Sequence, residues 1–160
     1  MKLVIQRVRH ASVTADGVPT GSIGPGLMIL CGVLDGDTPA DALSLAEKVV
    51  RMRIFTDEQD KMNLSVQDVS GSILVVSQFT LGADCRKGNR PSFIRAAKPP
   101  LSENLYELFV QHLRELGVPV ETGKFGADMQ IDMAAWGPVT ILLDSDELKR
   151  PRRQSEGDAI

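Results

Sequence analysis

The stretch Ser72-Ile73-Leu74-Val75-Val76-Ser77-Gln78 reads as a central strand. Aliphatic and β-branched residues fill its centre and polar residues close its end, the pattern of a strand buried on both faces. A second such run, Leu27-Met28-Ile29-Leu30-Cys31-Gly32-Val33, comes earlier in the chain. Between the two lies a helical pattern. Thr38-Pro39 offers a hydroxyl cap followed by proline at the first helical position. Ala42, Leu45, Ala46, Val49 and Val50 then recur at helical spacing, which predicts a helix over 39–52. Residues 56–70 are polar and read as a surface excursion anchored by Met62 and Leu64.

At the start of the chain, Lys2 to Val8 alternates Leu3, Ile5 and Arg7 against Val4, Gln6 and Val8, and Ala11 to Ala15 reads as another short strand. A second helix is expected from a cap at Ser102, through Leu105, Leu108, Phe109, Leu113 and Leu116, to Gly117. Strands follow at about 118–121, 128–135 and 138–143, with Trp136-Gly137-Pro138 as the turn between the last two. This order predicts an α+β fold: a mixed, largely antiparallel, curled sheet with two main helices packed on it. Residues 1–146 are expected to form a single domain. Residues 147–160, with Lys149-Arg150-Pro151-Arg152-Arg153, read as a polar tail.

A chain of 160 residues with 42% hydrophobic and 24% charged residues can bury a core without disulfides or metal. The apolar run Leu27 to Leu34 is far short of the ~18 residues of a membrane span. Met1-Lys2-Leu3-Val4 runs directly into strand-like sequence, so a cytoplasmic protein without membrane association is expected. Cys31 reads as a small core residue and Cys85 lies in a polar stretch; neither has partners at metal spacing, so no metal is expected. His10 and His112 read as packed or solvated.

The net charge of −3 and pI near 5.4 argue against gripping nucleic acid through the overall field. Locally, however, Cys85 to Pro100 carries Arg86, Lys87, Arg90, Arg95 and Lys98 with no intervening acid. That run is either a solvated loop or a phosphate patch. Aromatic residues, at 4%, are too few for an extended single-strand stacking platform.

Generic catalytic motifs are absent, and nothing points to a Ser-His-Asp arrangement. An enzyme built from these residues would work on an already labile bond, or with a nucleophile or base supplied by its substrate. Two places stand out. At Ser77-Gln78-Phe79-Thr80-Leu81 an apolar strand ends in polar residues; these either line a site or satisfy their own strand end. At Trp136-Gly137-Pro138-Val139-Thr140 glycine permits close backbone approach and proline fixes a bend, which by itself is also what a plain turn needs.

An ordered set of separated segments carries a more specific signal. They are Ile5-Gln6-Arg7-Val8, Ala11-Ser12-Val13, Ile23-Gly24-Pro25-Gly26-Leu27, Arg53-Ile54-Phe55 and Lys61-Met62-Asn63-Leu64-Ser65. Further along come Ser77-Gln78-Phe79-Thr80-Leu81, Arg90-Pro91-Ser92-Phe93, Gly123-Lys124-Phe125-Gly126-Ala127-Asp128-Met129 and Gly137-Pro138-Val139-Thr140. Through them the chain resembles the D-aminoacyl-tRNA deacylases over roughly residues 1 to 145.

The resemblance implies hydrolysis of the ester joining a D-amino acid, or mischarged glycine, to the 3′ end of tRNA. L-amino acids are excluded, and no cofactor is used. It implies a homodimer in which a cis Gly137-Pro138 reaches into the partner's pocket, its carbonyl oxygens leaving no room for an L side chain. Ser77, Gln78, Phe79 and Thr80 would form the catalytic segment; Arg7 would hold the dipeptide, and Phe125 and Met129 would lie near the pocket. Arg86, Lys87 and Arg90 become expected contacts for tRNA phosphates. One departure stands out: the family's Asn two residues before Gly-Pro is Ala135 here, followed by Trp136, whose ring could brace the loop by packing. Three other readings stay open: editing of small L-amino acids, a tRNA-end binding module without catalysis, and an ester or peptide hydrolase using Ser77 or Thr80. Within catalysis, a Thr80 nucleophile competes with water activated by the ribose 2′-hydroxyl.

Overall fold

The structure is a computed structural model describing residues 1–152. The predicted tail falls partly on residues 153–160, which lie outside the described residues. Its beginning belongs to a short helix.

The long first strand β1 (Lys2–Ala15) organises the sheet. Along one side it pairs antiparallel with β3 (Gly26–Gly32) through its first half and with β2 (Val18–Ile23) through its second. Along the other side it pairs antiparallel with β8 (Met129–Asp144). β3 continues the sheet into the parallel neighbours β6 (Ser72–Ser77) and β7 (Val120–Thr122). A small hairpin of β4 (Phe55–Thr56) and β5 (Met62–Leu64) lies apart. The sheet is therefore mixed and largely antiparallel, as expected. It curls until β2 meets β7: a Cβ on Gly21 would stand 2.9 Å from the Thr122 carbonyl oxygen.

Two cores follow from the curl. Helices α1 (Pro39–Arg51) and α2 (Leu101–Glu115) cover one face, packing Leu45, Val49, Phe109 and Leu113 on Leu3, Ile5, Ile29 and Val75. The inside of the curl holds Val8, Ala11, Val13, Met28, Leu74 and Val76. Strands β3 and β6 approach so closely that only glycine fits at position 26, where a Cβ would lie 1.8 Å from the Ser72 carbonyl oxygen.

Several local expectations need correction. The segments 2–8 and 11–15 are one strand, because irregularities in the pairing with β8 carry it across Arg9 and His10. The turn expected at Trp136-Gly137-Pro138 is likewise internal to the single strand β8. Helix α2 begins one residue before Ser102, whose hydroxyl is buried in the first turn without a hydrogen-bond partner among the described residues instead of capping it. In the 56–70 segment Leu64 packs on the core as expected, but Met62 is exposed, and the second anchor is the fully buried Val66. The Thr38 cap is as expected, but the Asp41 carboxylate completes it, accepting from the Thr38 amide (2.8 Å) and hydroxyl (3.2 Å). A third helix, α3 (Ser145–Lys149), closes the chain against Met1, whose amino group donates to Ser145 Oγ (2.8 Å) and Asp37 (2.5 Å). Among the described residues no helix is long and apolar enough to cross a membrane.

Candidate active site

Strand β6 outruns its neighbour β7, and a site opens where it does. The last β6–β7 partners are Val75 and Thr122. The Val75 carbonyl, turned toward β7, accepts from Gly123 N–H (3.3 Å) and the Tyr106 hydroxyl (2.9 Å). Two residues on, Ser77 turns its backbone the same way, past the end of β7, with no strand on that side among the described residues. The chain then enters a 3₁₀ turn, Phe79–Gly82. The amides of Phe79 and Thr80 open this turn, and amides at the start of such a turn have no carbonyl of the turn to bond.

Beside this strand end lies a cleft of about 610 Å³. Ser77, Gln78 and Phe79 line it, and so do Phe125 and Met129. Thr80 does not line it. Its hydroxyl sits behind Gln78 and accepts from Gln78 Nε2 at 2.6 Å. Sequence reasoning missed Tyr106 and Phe93 as wall residues. Tyr106 is a buried residue of α2 that the leucine and phenylalanine spacing of that helix did not mark. Phe93 was within reach of the Arg90-Pro91-Ser92-Phe93 motif. Its ring meets Phe79 edge-to-face, centroids 5.2 Å apart, and both rings are exposed at the cleft mouth.

The chemistry inside the cleft is quiet. Burial pushes the Cys31 thiol up to about 12, so it stays protonated at neutral pH. Burial also raises the Tyr106 phenol. The charged lining residues are Lys98 and Asp128, both exposed. Among the described residues no cluster of His, Cys, Asp or Glu could hold a metal ion. What the site offers a reacting ester is therefore an apolar, walled space with backbone amides at its end.

Gly137, Pro138 and Arg7 are not part of this chain's own cleft. In β8, the pairs Gln6–Thr140 and Val8–Ala135 are successive, so Trp136, Gly137, Pro138 and Val139 all face the single residue Arg7. The extra residues form a bulge with two fixed feet. At one foot buried Arg7 donates Nε to the Trp136 carbonyl (3.1 Å), while its Nη1 donates to the Ile54 carbonyl (2.9 Å) and Thr56 Oγ1 (3.3 Å). At the other, Gln6 Nε2 donates to the Val139 carbonyl (3.1 Å), and the Thr140 hydroxyl donates to Gln6 Oε1 (2.6 Å). Gly137 and Pro138 stand exposed between the feet. Their peptide bond is cis, and Gly137 has φ +120°, a region that L residues rarely adopt.

The basic run is a surface loop. Arg86 is not a free cation: its Nε and Nη2 grip both Asp84 carboxylate oxygens at 2.6–3.1 Å, and these hydrogen bonds hold the Asp84 carboxyl down to about 2. Lys87 and Arg90 are exposed and form no ion pair among the described residues.

A family model described as D-Tyr-tRNA(Tyr) deacylase matches residues 4–144. A protein of Akkermansia muciniphila named D-aminoacyl-tRNA deacylase is 58% identical over 146 residues, 91% of this chain and 97% of its own length. One of the same name from Ruegeria pomeroyi is 56% identical over 144 residues, 90% and 99% of the two chains. Among solved structures, the c-Myc DNA unwinding element binding protein superimposes with a TM-score of 0.85 at 41% identity, covering 90% of this chain and 98% of its own. A probable eukaryotic D-amino acid tRNA deacylase, at 20% identity and a TM-score of 0.74, shares the fold over 89% and 97% of the two chains.

Proposed function

We propose, from the premise that this chain belongs to the D-Tyr-tRNA(Tyr) deacylase family, a chiral proofreading enzyme whose selectivity lies in backbone rather than in a reactive side chain. The protein hydrolyses the ester bond of D-aminoacyl-tRNA, releasing free tRNA and the D-amino acid. In our reading it also clears mischarged glycyl-tRNA and works in the cytoplasm, residues 1–146 forming the deacylase domain and 147–160 a tail beside it.

A pocket lined by apolar side chains cannot sort mirror images, because both enantiomers carry the same side chain. Sorting needs fixed contacts to the groups on the α-carbon and a wall where the wrong side chain would point. Backbone held by its neighbours suits that wall better than a rotatable side chain. The observation that carries the reading is the two-footed bulge: Gly137 and Pro138 are held out by Arg7 and Gln6, away from their own chain's cleft. In the proposed homodimer they enter the cleft of the partner subunit and exclude L-amino acids.

Within the cleft, the amides around Phe79 and Thr80 stabilise the developing oxyanion, and Ser77 and Gln78 orient the aminoacyl end. The tRNA's own 2′-hydroxyl assists the attacking water, since the group in contact with Thr80 Oγ1 is an amide and not a base. Arg86, Lys87 and Arg90 approach phosphates of the acceptor end.

The test compares deacylation of matched D-, L- and glycyl-tRNA. Rapid loss of the D and glycyl esters with a stable L ester is expected. Loss of small L esters instead would mean an L-editing enzyme, and three stable esters would mean a binding module.

A further inference from the structure

We infer that Trp136 and Arg9 are positioning residues for the Gly137–Pro138 projection, the indole being loaded by two guanidinium groups so that the foot of the bulge cannot rotate. The inference rests on the reading of Gly137–Pro138 given above.

Trp136 immediately precedes Gly137, and its carbonyl is itself one foot of the bulge. Three side chains contact its ring. The guanidinium carbons of Arg7 and Arg9 each stand over the ring, 4.5 Å from its centroid. Phe55, fully buried in β4, meets it edge-on at 6.2 Å. The ring therefore fixes the side chain of the residue whose backbone Arg7 fixes, and together the two contacts leave that residue little freedom about its own backbone.

Arg9 shows the arrangement is more than incidental packing. Arg7 has three oxygen partners and would be held without the ring. Among the described residues Arg9 makes no side-chain hydrogen bond and no ion pair, and its contact is the Trp136 ring. It stands there despite the neighbouring charge of Arg7, whose guanidinium is held below its ordinary range by burial and by Arg9. Two like charges meeting at one ring is an arrangement that the attraction of each for the ring must offset. A side chain whose one polar contact among the described residues is the ring at the base of the projection restrains that projection.

Arg9→Ala, Arg9→Lys, Trp136→Ala and Trp136→Phe are assayed as full-length protein on matched D- and L-aminoacyl-tRNA. Arg9→Ala and Trp136→Ala are expected to lower the D-over-L ratio of kcat/KM by about tenfold. Arg9→Lys and Trp136→Phe, which keep a cation and a ring, restore most of it. Trp136 is the chain's one tryptophan, so its emission reports the same contact. Arg9→Ala should shift that emission, and Arg9→Lys should shift it less. If Trp136→Ala does not fold, exposed Arg9 carries the test alone. Gly137→Ala, run beside them, separates the two levels. If it abolishes discrimination while the Arg9 variants leave both discrimination and emission unchanged, the positioning role is overturned and the function stands. If Gly137→Ala leaves discrimination intact, both are overturned.

Discussion

Gln6 Nε2 donates to the Val139 carbonyl at 3.1 Å while Gln6 Oε1 accepts from the Thr140 hydroxyl at 2.6 Å, so one buried amide ties down the far foot of the β8 bulge. Gln6→Leu keeps the approximate volume and removes both bonds. Leaving partly buried polar groups unpaired costs about 1–3 kcal/mol. For a chain of this size that lowers Tm by a few degrees, since ~1 kcal/mol corresponds to about 2–4 °C. The same variant should hydrolyse L-aminoacyl-tRNA measurably. Wild-type melting together with wild-type discrimination would show that the foot holds nothing in place.

Thr80 distinguishes the two chemical mechanisms. Its hydroxyl accepts from the Gln78 amide at 2.6 Å, an arrangement that orients oxygen but removes no proton. Thr80→Ala should therefore lower kcat by less than about tenfold, because the backbone amides and the substrate's 2′-hydroxyl remain. A nucleophilic threonine would instead lose roughly a thousandfold or more and leave a trappable acyl-enzyme in the wild type. The complementary measurement uses tRNA ending in 2′-deoxyadenosine, on which the wild type should be severely impaired.

An element of this fold is legible in the sequence to the extent that its signal is local. The strands β3 and β6 and helix α1 announce themselves through runs and spacing within a few residues, and each lies where the pattern puts it. The bulge does not. Gly137-Pro138 reads as a turn because glycine and proline usually punctuate strands. What keeps the strand continuous is contributed by Gln6 and Arg7, more than a hundred residues away in sequence. Tyr106 illustrates a second blind spot: it packs the core and walls the cleft at once, and the spacing of Leu105, Phe109 and Leu113 beside it marks neither role. The resemblance, carried by scattered tetrapeptides, picked out Phe125 and Met129, which no spacing argument marked.

The basic loop is not uniform. Arg86 is already held by both oxygens of Asp84, whereas Lys87 and Arg90 are exposed without an acid partner among the described residues. Each phosphate contact contributes roughly 0.7–0.9 to the slope of log K against log salt. Lys87→Glu with Arg90→Glu should weaken tRNA binding and flatten that slope by about one to two. Arg86→Ala should do less, because its charge is shared with Asp84. Equal losses from Arg86→Ala and Arg90→Ala would mean that the Asp84 pair opens on binding. No loss from the double reversal would remove the loop from the tRNA path.

Acid should loosen the first turn of α1 before it affects the sheet. Asp41 is buried. Burial opposes its charge, but the Lys149 ammonium, 2.6 Å from Oδ1, and the hydrogen bonds from Thr38 outweigh it and hold the carboxyl below the usual range. A carboxyl depressed in the folded state stabilises fully above the unfolded value, near pH 4, and loses that contribution as pH falls through the folded value. Asp41→Asn keeps an oxygen for the Thr38 amide but no charge for Lys149, and should cost about 1–2 kcal/mol at pH 7 by urea unfolding. The gap between wild type and variant should shrink steadily below pH 4, because protonation makes the two carboxyl-derived groups alike. A gap that stays constant to pH 2.5 would mean that shape, not charge, makes Asp41 the residue that joins α1 to α3.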